Sequence, residues 1–290
     1  MTLKEELLKA REENRALGHF NVSDSTQFNA VVRAALRADE PVVIGVSEGE
    51  GKFIGVHEVA ALVKSCRERG MRVYLNADHS YTIERAKEAI DAGFDSVIID
   101  GAKLSFEENV AMTRATVAYA KGSEKQVLIE GELGYIGTSS KVLDKLPDGV
   151  AITEETMTSP EELSRFIVET GVDLIAPAVG SVHGIIASGD PRLSISRIAS
   201  LSAASSVPLV LHGGSGTTDE DFTAGVKAGL RMIHINTELR IEYRKGIEKG
   251  LASDPTEIAP YKFLGEGAKA AEECAYKRLM LFAGKVFTNR

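Results

Sequence analysis

Cysteine is nearly missing from this chain, with two in 290 residues, and tryptophan is missing altogether. Cys66 and Cys274 stand far apart and make neither zinc-ligand nor redox spacing. That excludes a disulfide framework and makes a reducing cytoplasm the expected setting. A surplus of positive charge is also lacking: Asp and Glu total 42 against 34 Lys and Arg, for a net charge of −8. This argues against nucleic acid or an anionic membrane as the main partner, while leaving room for a local basic pocket. No apolar run approaches the ~20 residues that span a bilayer. Met1-Thr2-Leu3-Lys4-Glu5-Glu6 is acidic and amphipathic, without the apolar core of a signal peptide. The remainder, 43% hydrophobic and 26% charged, is ordinary for a soluble globular protein.

What is present is an alternation of short apolar runs with longer helical patterns. The runs fall at 17–22, 41–46, 72–75, 96–99, 126–130, 174–179, 207–211 and 232–235. Each is mostly uninterrupted, as parallel strands buried on both faces are. Ser23 and Asp24, and Ser159 before Pro160-Glu161-Glu162, read as helix starts. Residues 48–51 read as a loop, and 135–158 is the longest stretch without clear periodicity. Eight such units predict an α/β fold, a (β/α)8 TIM barrel forming one domain over 1–290. A covering helix at 3–16 precedes it, and a C-terminal helical extension over about 253–290 follows. A doubly wound open sheet would carry Gly-x-Gly-x-x-Gly after its first strand, and Gly18-His19-Phe20-Asn21 lacks it.

In a barrel the C-terminal strand ends share one mouth, so unusual polar residues there read as a site. Those ends carry Asn21, Ser47, Asp78, His79, Asp100, Glu132, His183, His212, Asn236 and Thr237. Three histidines with an open position are a common catalytic zinc arrangement, and three satisfied core histidines are the alternative. His57 is expected on a helix surface, and His19 is expected to pack within the first strand. Asp78 precedes His79, so in a regular strand the two side chains point to opposite sides. The twist into the turn can bring both to the mouth, where an acid beside a metal can protonate or orient a substrate oxygen. A carboxylate that caps a helix or holds a ligand is the alternative. Glycine-rich turns at 180–184 and 213–216, with Asn236-Thr237 at a helix start, suit a phosphate. No lysine lies in any of the eight runs, which disfavours a Schiff base, and Lys103 reads as a surface residue.

These positions occur here as Phe20-Asn21-Val22, Ser47, Asp78-His79, Asp100-Gly101, Gly131-Glu132-Leu133-Gly134, Val182-His183-Gly184, His212-Gly213-Gly214-Ser215-Gly216 and Thr237-Glu238-Leu239. In them the chain resembles the class II, metal-dependent fructose-bisphosphate aldolase family, which includes the tagatose-bisphosphate aldolases. The resemblance implies that His79, His183 and His212 hold one catalytic Zn2+ per chain, with a monovalent cation as a possible companion. It implies that Asp78 is the acid at the aldehyde oxygen. Gly184, Gly213, Gly214, Ser215, Asn236 and Thr237 would hold the phosphate of dihydroxyacetone phosphate, with Asn21 and Ser47 beside the substrate. Asp100 and Glu132 match a secondary metal site or support the ligands. The implied reaction is cleavage or formation of a ketose 1,6-bisphosphate in glycolysis or gluconeogenesis, fructose before tagatose, by a homodimer or homotetramer. A non-catalytic sugar-phosphate binding protein on the same fold is the reading from another class.

The departures are local. Ser139 and Ser140 stand where the family usually has acids, one of them the proposed mobile base. Asp144, Glu154 or Glu155, from the same long loop, are the alternatives for that base. His234 matches the family's asparagine on the eighth strand, and Ile186-Ala187 replaces a frequent Tyr-Lys.

Overall fold

The computed structural model describes residues 1–134, 136–137, 142–143, 153, 155–186 and 192–285. In chain order the first elements are α1 (Leu3–Glu12), β1 (Leu17–Asn21), α2 (Ser25–Ala38), β2 (Val42–Ser47), α3 (Glu48–Ile54) and α4 (Val56–Glu68). There follow β3 (Val73–Ser80), α5 (Ile83–Ala92), β4 (Ser96–Ile99), α6 (Phe106–Gly122), β5 (Leu128–Leu133), β6 (Val142–Leu143) and α7 (Pro160–Thr170). The last are β7 (Leu174–Pro177), β8 (Ile185–Ile186), α8 (Ile195–Ala204), β9 (Leu209–Leu211), α9 (Asp219–Ala228), β10 (Leu230–Ile235), α10 (Thr237–Ser253) and α11 (Pro260–Phe282).

Eight strands close into a parallel barrel in the order β1-β10-β9-β7-β5-β4-β3-β2, and β6 and β8 pair as a separate two-stranded sheet. The (β/α)8 fold is therefore the one expected. Asp24 and Ser159 cap α2 and α7 through side-chain oxygens that accept the Gln27 and Glu162 N–H groups. Helix α11 packs against α10 and α2. No helix among the described residues is long and apolar enough to cross a membrane.

The barrel interior is layered along the strands, because residues two apart share a face. At the bottom Leu17, Val43, Tyr74, Leu128, Leu174, Val210 and Met232 form one apolar cluster, closed from below by Leu3, Leu7 and Ala10 of α1. Two residues further along the same faces stand His19, Gly45, Asn76, Glu130, Ala176, His212 and His234. The interior thus turns from apolar to polar within one step, and the polar layer is buried.

Several element boundaries differ from expectation, and three of them bear on the site. Strand β3 runs on through Asp78-His79 to Ser80, and β5 starts and ends later, at Leu128 and Leu133, so that Glu132 lies inside it. Residues 48–51 belong to a helix, α3. The reason is Ser47: its hydroxyl accepts the Glu50 N–H while the Glu50 carboxylate accepts the Ser47 N–H, a capping box that nucleates a turn despite two glycines.

Candidate active site

One cavity of about 340 Å³ opens at the C-terminal ends of the strands. His79 reaches it by a local break in strand geometry. Its φ is +50°, in the left-handed region, so the alternation expected for neighbours fails and Asp78 and His79 both line the cavity. His183 comes from the turn after β7, where its N–H donates to the Ile136 carbonyl at 2.8 Å. His212 follows β9 directly. The ring centroids of His79, His183 and His212 are 4.8, 4.9 and 5.7 Å apart pairwise. With Glu132 they place one ligand atom each within 4.8 Å of all the others.

Carboxylates surround these rings. Asp100 Oδ2 accepts from His79 Nδ1 at 2.8 Å, and Glu130 Oε1 accepts from His212 Nε2 at 2.8 Å. Glu132 Oε2 lies 2.9 Å from His212 Nδ1. Burial opposes a charge on His79, but Asp78, Glu132 and Asp100 outweigh it and push the imidazole up to about 9. His212 is likewise held well above its ordinary range, burial being overcome by Glu130 and Glu132. His183 goes the other way: burial, then the neighbouring His79 and His212, keep it neutral. Burial alone would raise Asp78, yet His79 and His234 hold it well below the usual carboxylate range. The site therefore stabilises positive charge at its centre. His183 Nε2 is buried there without a hydrogen-bond partner, a free lone pair of the kind a divalent cation takes. The donor set, three imidazoles with Glu132, fits a divalent metal ion.

The glycine turns border the same cavity, which Gly184, Gly213, Gly214, Ser215, Asn236 and Thr237 line. Gly213 has φ +65°, and a Cβ there would stand 2.5 Å from the Val182 carbonyl carbon, so only glycine lets the turn after β9 pack on the turn that carries His183. The Ser215 hydroxyl accepts the Asn236 and Glu238 N–H groups at 3.3 and 3.2 Å, capping α10 in place of Asn236, whose side chain makes no cap. Asn21 and Ser47 also line the cavity. The Asn21 amide is committed to Glu50 and Asp78, each at 2.8 Å, so it orients the acid. Ser47 is engaged in capping α3.

Ser139, Ser140, Asp144, Glu154 and Ala187 lie outside the described residues. Glu155 is exposed, as are His57 and Lys103. His19 packs within β1 as expected, but sequence reasoning did not join it with His234, Asn76 and Glu130 into one polar interior layer. The signal was there in the two-residue periodicity Leu17-His19-Asn21 and Met232-His234-Asn236, which places each histidine between a core residue and a mouth residue. It also missed Arg240, the one Lys or Arg among the described lining residues, which pairs with Glu50.

Comparison with known proteins shows the family and the fold. The family model for "Fructose-bisphosphate aldolase class-II" matches residues 1–285. The chain is 34% identical over 286 residues to the fructose-bisphosphate aldolase of Staphylococcus aureus strain Mu50, covering 97% of this chain and 96% of that protein. The fructose-bisphosphate aldolase of Geobacillus stearothermophilus is similar to the same extent, 34% over 286 residues with 97% and 96% covered. Among solved structures, the YdjI aldolase from Escherichia coli K12 superposes with a TM-score of 0.81 at 26% identity, covering 97% of this chain and 96% of that one.

Proposed function

The chain belongs to the class II fructose-bisphosphate aldolase family and is a carbon–carbon lyase; on that premise we propose that it cleaves and forms a ketose 1,6-bisphosphate, fructose 1,6-bisphosphate before its tagatose epimer. The products are dihydroxyacetone phosphate and glyceraldehyde 3-phosphate. The observation that carries this reading is the cluster of His79, His183 and His212 beside the cavity that the glycine turns border, with His79 and His183 lining it and His212 buried behind them. These three would hold zinc. When bound, zinc supplies a Lewis acid for the negative charge that develops at the ketose carbonyl as the carbon–carbon bond breaks.

The remaining roles fall to side chains of the chain itself. Asp78, kept ionised and steered by the Asn21 amide, takes the proton of the C4 hydroxyl in cleavage and returns it to the aldehyde oxygen in condensation. The N–H groups around Gly184, Gly213 and Gly214 and the N-terminus of α10 bind the C1 phosphate. Arg240 offers its charge to the far phosphate. Asp100 and Glu132 orient and compensate the histidines. The chain works as a homodimer or homotetramer in the cytoplasm; its two unpaired buried thiols support the compartment.

The test is release of triose phosphate from fructose and tagatose 1,6-bisphosphates by the purified protein with zinc added and with zinc chelated. Zinc-dependent release is expected, lost in His212→Ala together with the bound metal. No release from either ketose, or full activity and zinc content in the variant, refutes the assignment.

A further inference from the structure

His19 and His234 are register partners on β1 and β10. Their rings stack with centroids 3.5 Å and planes 5° apart, and His234 stacks in turn on His212 at 4.3 Å. Gly45 makes the room, since a Cβ there would come within 2.1 Å of His19 Cε1. Asn76 sets the orientation. Its amide donates to Ser96 Oγ at 2.8 Å, so its oxygen is left to accept from His19 Nε2–H at 3.0 Å. His19 Nδ1 is then a bare acceptor, buried and without a partner, and so is Asp78 Oδ1. His234 Nδ1 stands 3.5 Å from Asp78 Oδ1, too far for a hydrogen bond, and both residues line the cavity.

Two histidines and a carboxylate within 4.8 Å suggest a second metal. The stacking argues against it: the two rings lie in nearly parallel planes, so their in-plane lone pairs stay in separate planes and do not meet at one ion. A hydroxyl set to one side of the 3.5 Å line from Asp78 Oδ1 to His234 Nδ1, and admitted by a small parting of the two side chains, would donate to the first and accept from the second. We propose that His234, paired with Asp78, binds the C4 hydroxyl of the ketose and so selects the C4 epimer that is cleaved. His19 is a positioning residue that holds the His234 ring by stacking. This inference rests on the aldolase reading, in which Asp78 takes the C4 proton. It concerns a position where the resemblance implies asparagine, whose carboxamide is smaller than an imidazole.

The experiment measures kcat/KM of the zinc-loaded protein on fructose and tagatose 1,6-bisphosphates. His234→Asn, keeping one zinc per chain, is expected to shift the ratio of the two by about tenfold or more. His19→Ala is expected to shift it in the same direction; a purely structural role would lower both rates equally and leave the ratio alone. An unchanged ratio in His234→Asn overturns the proposal, whereas wild-type protein inactive on both ketoses overturns the aldolase reading beneath it. A second measurement needs no variant. In nitrogen NMR of ring-labelled histidines in the zinc-loaded wild-type protein, the His234 signal is expected to move when dihydroxyacetone phosphate and glyceraldehyde 3-phosphate are supplied together. Dihydroxyacetone phosphate alone, which lacks C4, leaves it in place; an equal shift with that compound alone overturns the proposal.

Discussion

Asp100 accepts a hydrogen bond from His79 Nδ1 at 2.8 Å, which leaves Nε2, 3.7 Å from Asp78 Oδ1, as the nitrogen with the free lone pair. Because His79 sits at a left-handed φ, its backbone alone does not hold the ring, and the carboxylate supplies the missing constraint. Asp100→Ala is therefore expected to weaken zinc binding by roughly 10- to 100-fold, as loss of a ligand's hydrogen-bond partner does elsewhere. Competition with a chelator measures it. Unchanged affinity would show that Asp100 serves a different ion or none.

Much of this was readable from the chain and some was not, for physical reasons. The barrel follows from apolar runs that must be buried on both faces, and His183 and His212 were visible because each stands beside glycine at a strand end. Strand β3 hid its ending, since Asp78-His79-Ser80 still pairs while His79 departs from strand geometry. The pairing of His19 with His234 depends on barrel closure, which joins the first strand to the last and leaves no local trace. Gly45 looks like any strand glycine until the His19 ring is seen against it.

Ser215 performs two tasks that a single substitution separates. Its hydroxyl oxygen caps α10, and it lines the proposed phosphate cradle. Ser215→Ala is expected to cost about 1 kcal/mol of stability through the lost cap. It is also expected to raise KM for the ketose bisphosphate more than it lowers kcat, because phosphate binding is remote from the bond that breaks. Urea denaturation and steady-state kinetics read the two effects. An unchanged KM would remove Ser215 from the cradle.

Burial, resisted by Asp78, lowers His19 to about 4, so it is neutral when folded and takes a proton near 6.5 when unfolded. The unfolded state thus binds the extra proton between those values, and stability falls as pH drops from 6.5 to 4, by up to roughly 3 kcal/mol. His79, pushed up to about 9, has the opposite sign: its contribution is present below 6.5 and lost as pH rises to 9. His19→Asn removes only the first effect. With zinc chelated, the stability gap between wild type and variant is expected to narrow steadily from pH 7 to pH 4. Urea midpoints at several pH values measure it, and a constant gap would refute a neutral buried His19.

Gly45 and His19 are expected to be energetically coupled. A Cβ at 45 would stand 2.1 Å from His19 Cε1 and 2.4 Å from Nε2, and the ring has nowhere to go without leaving the His234 stack and the Asn76 oxygen. Overpacking of this kind costs about 1–3 kcal/mol, and a buried nitrogen that loses its partner adds to it. Gly45→Ala should therefore lower the thermal midpoint by several degrees. In the double variant with His19→Ala, the new methyl occupies space that the ring has vacated, so the pair should be less destabilised than the sum of the single changes. A double-mutant cycle of urea midpoints gives the coupling directly. Strict additivity would mean that the ring finds another seat, and the interior stack would then not be the constraint that orients His234.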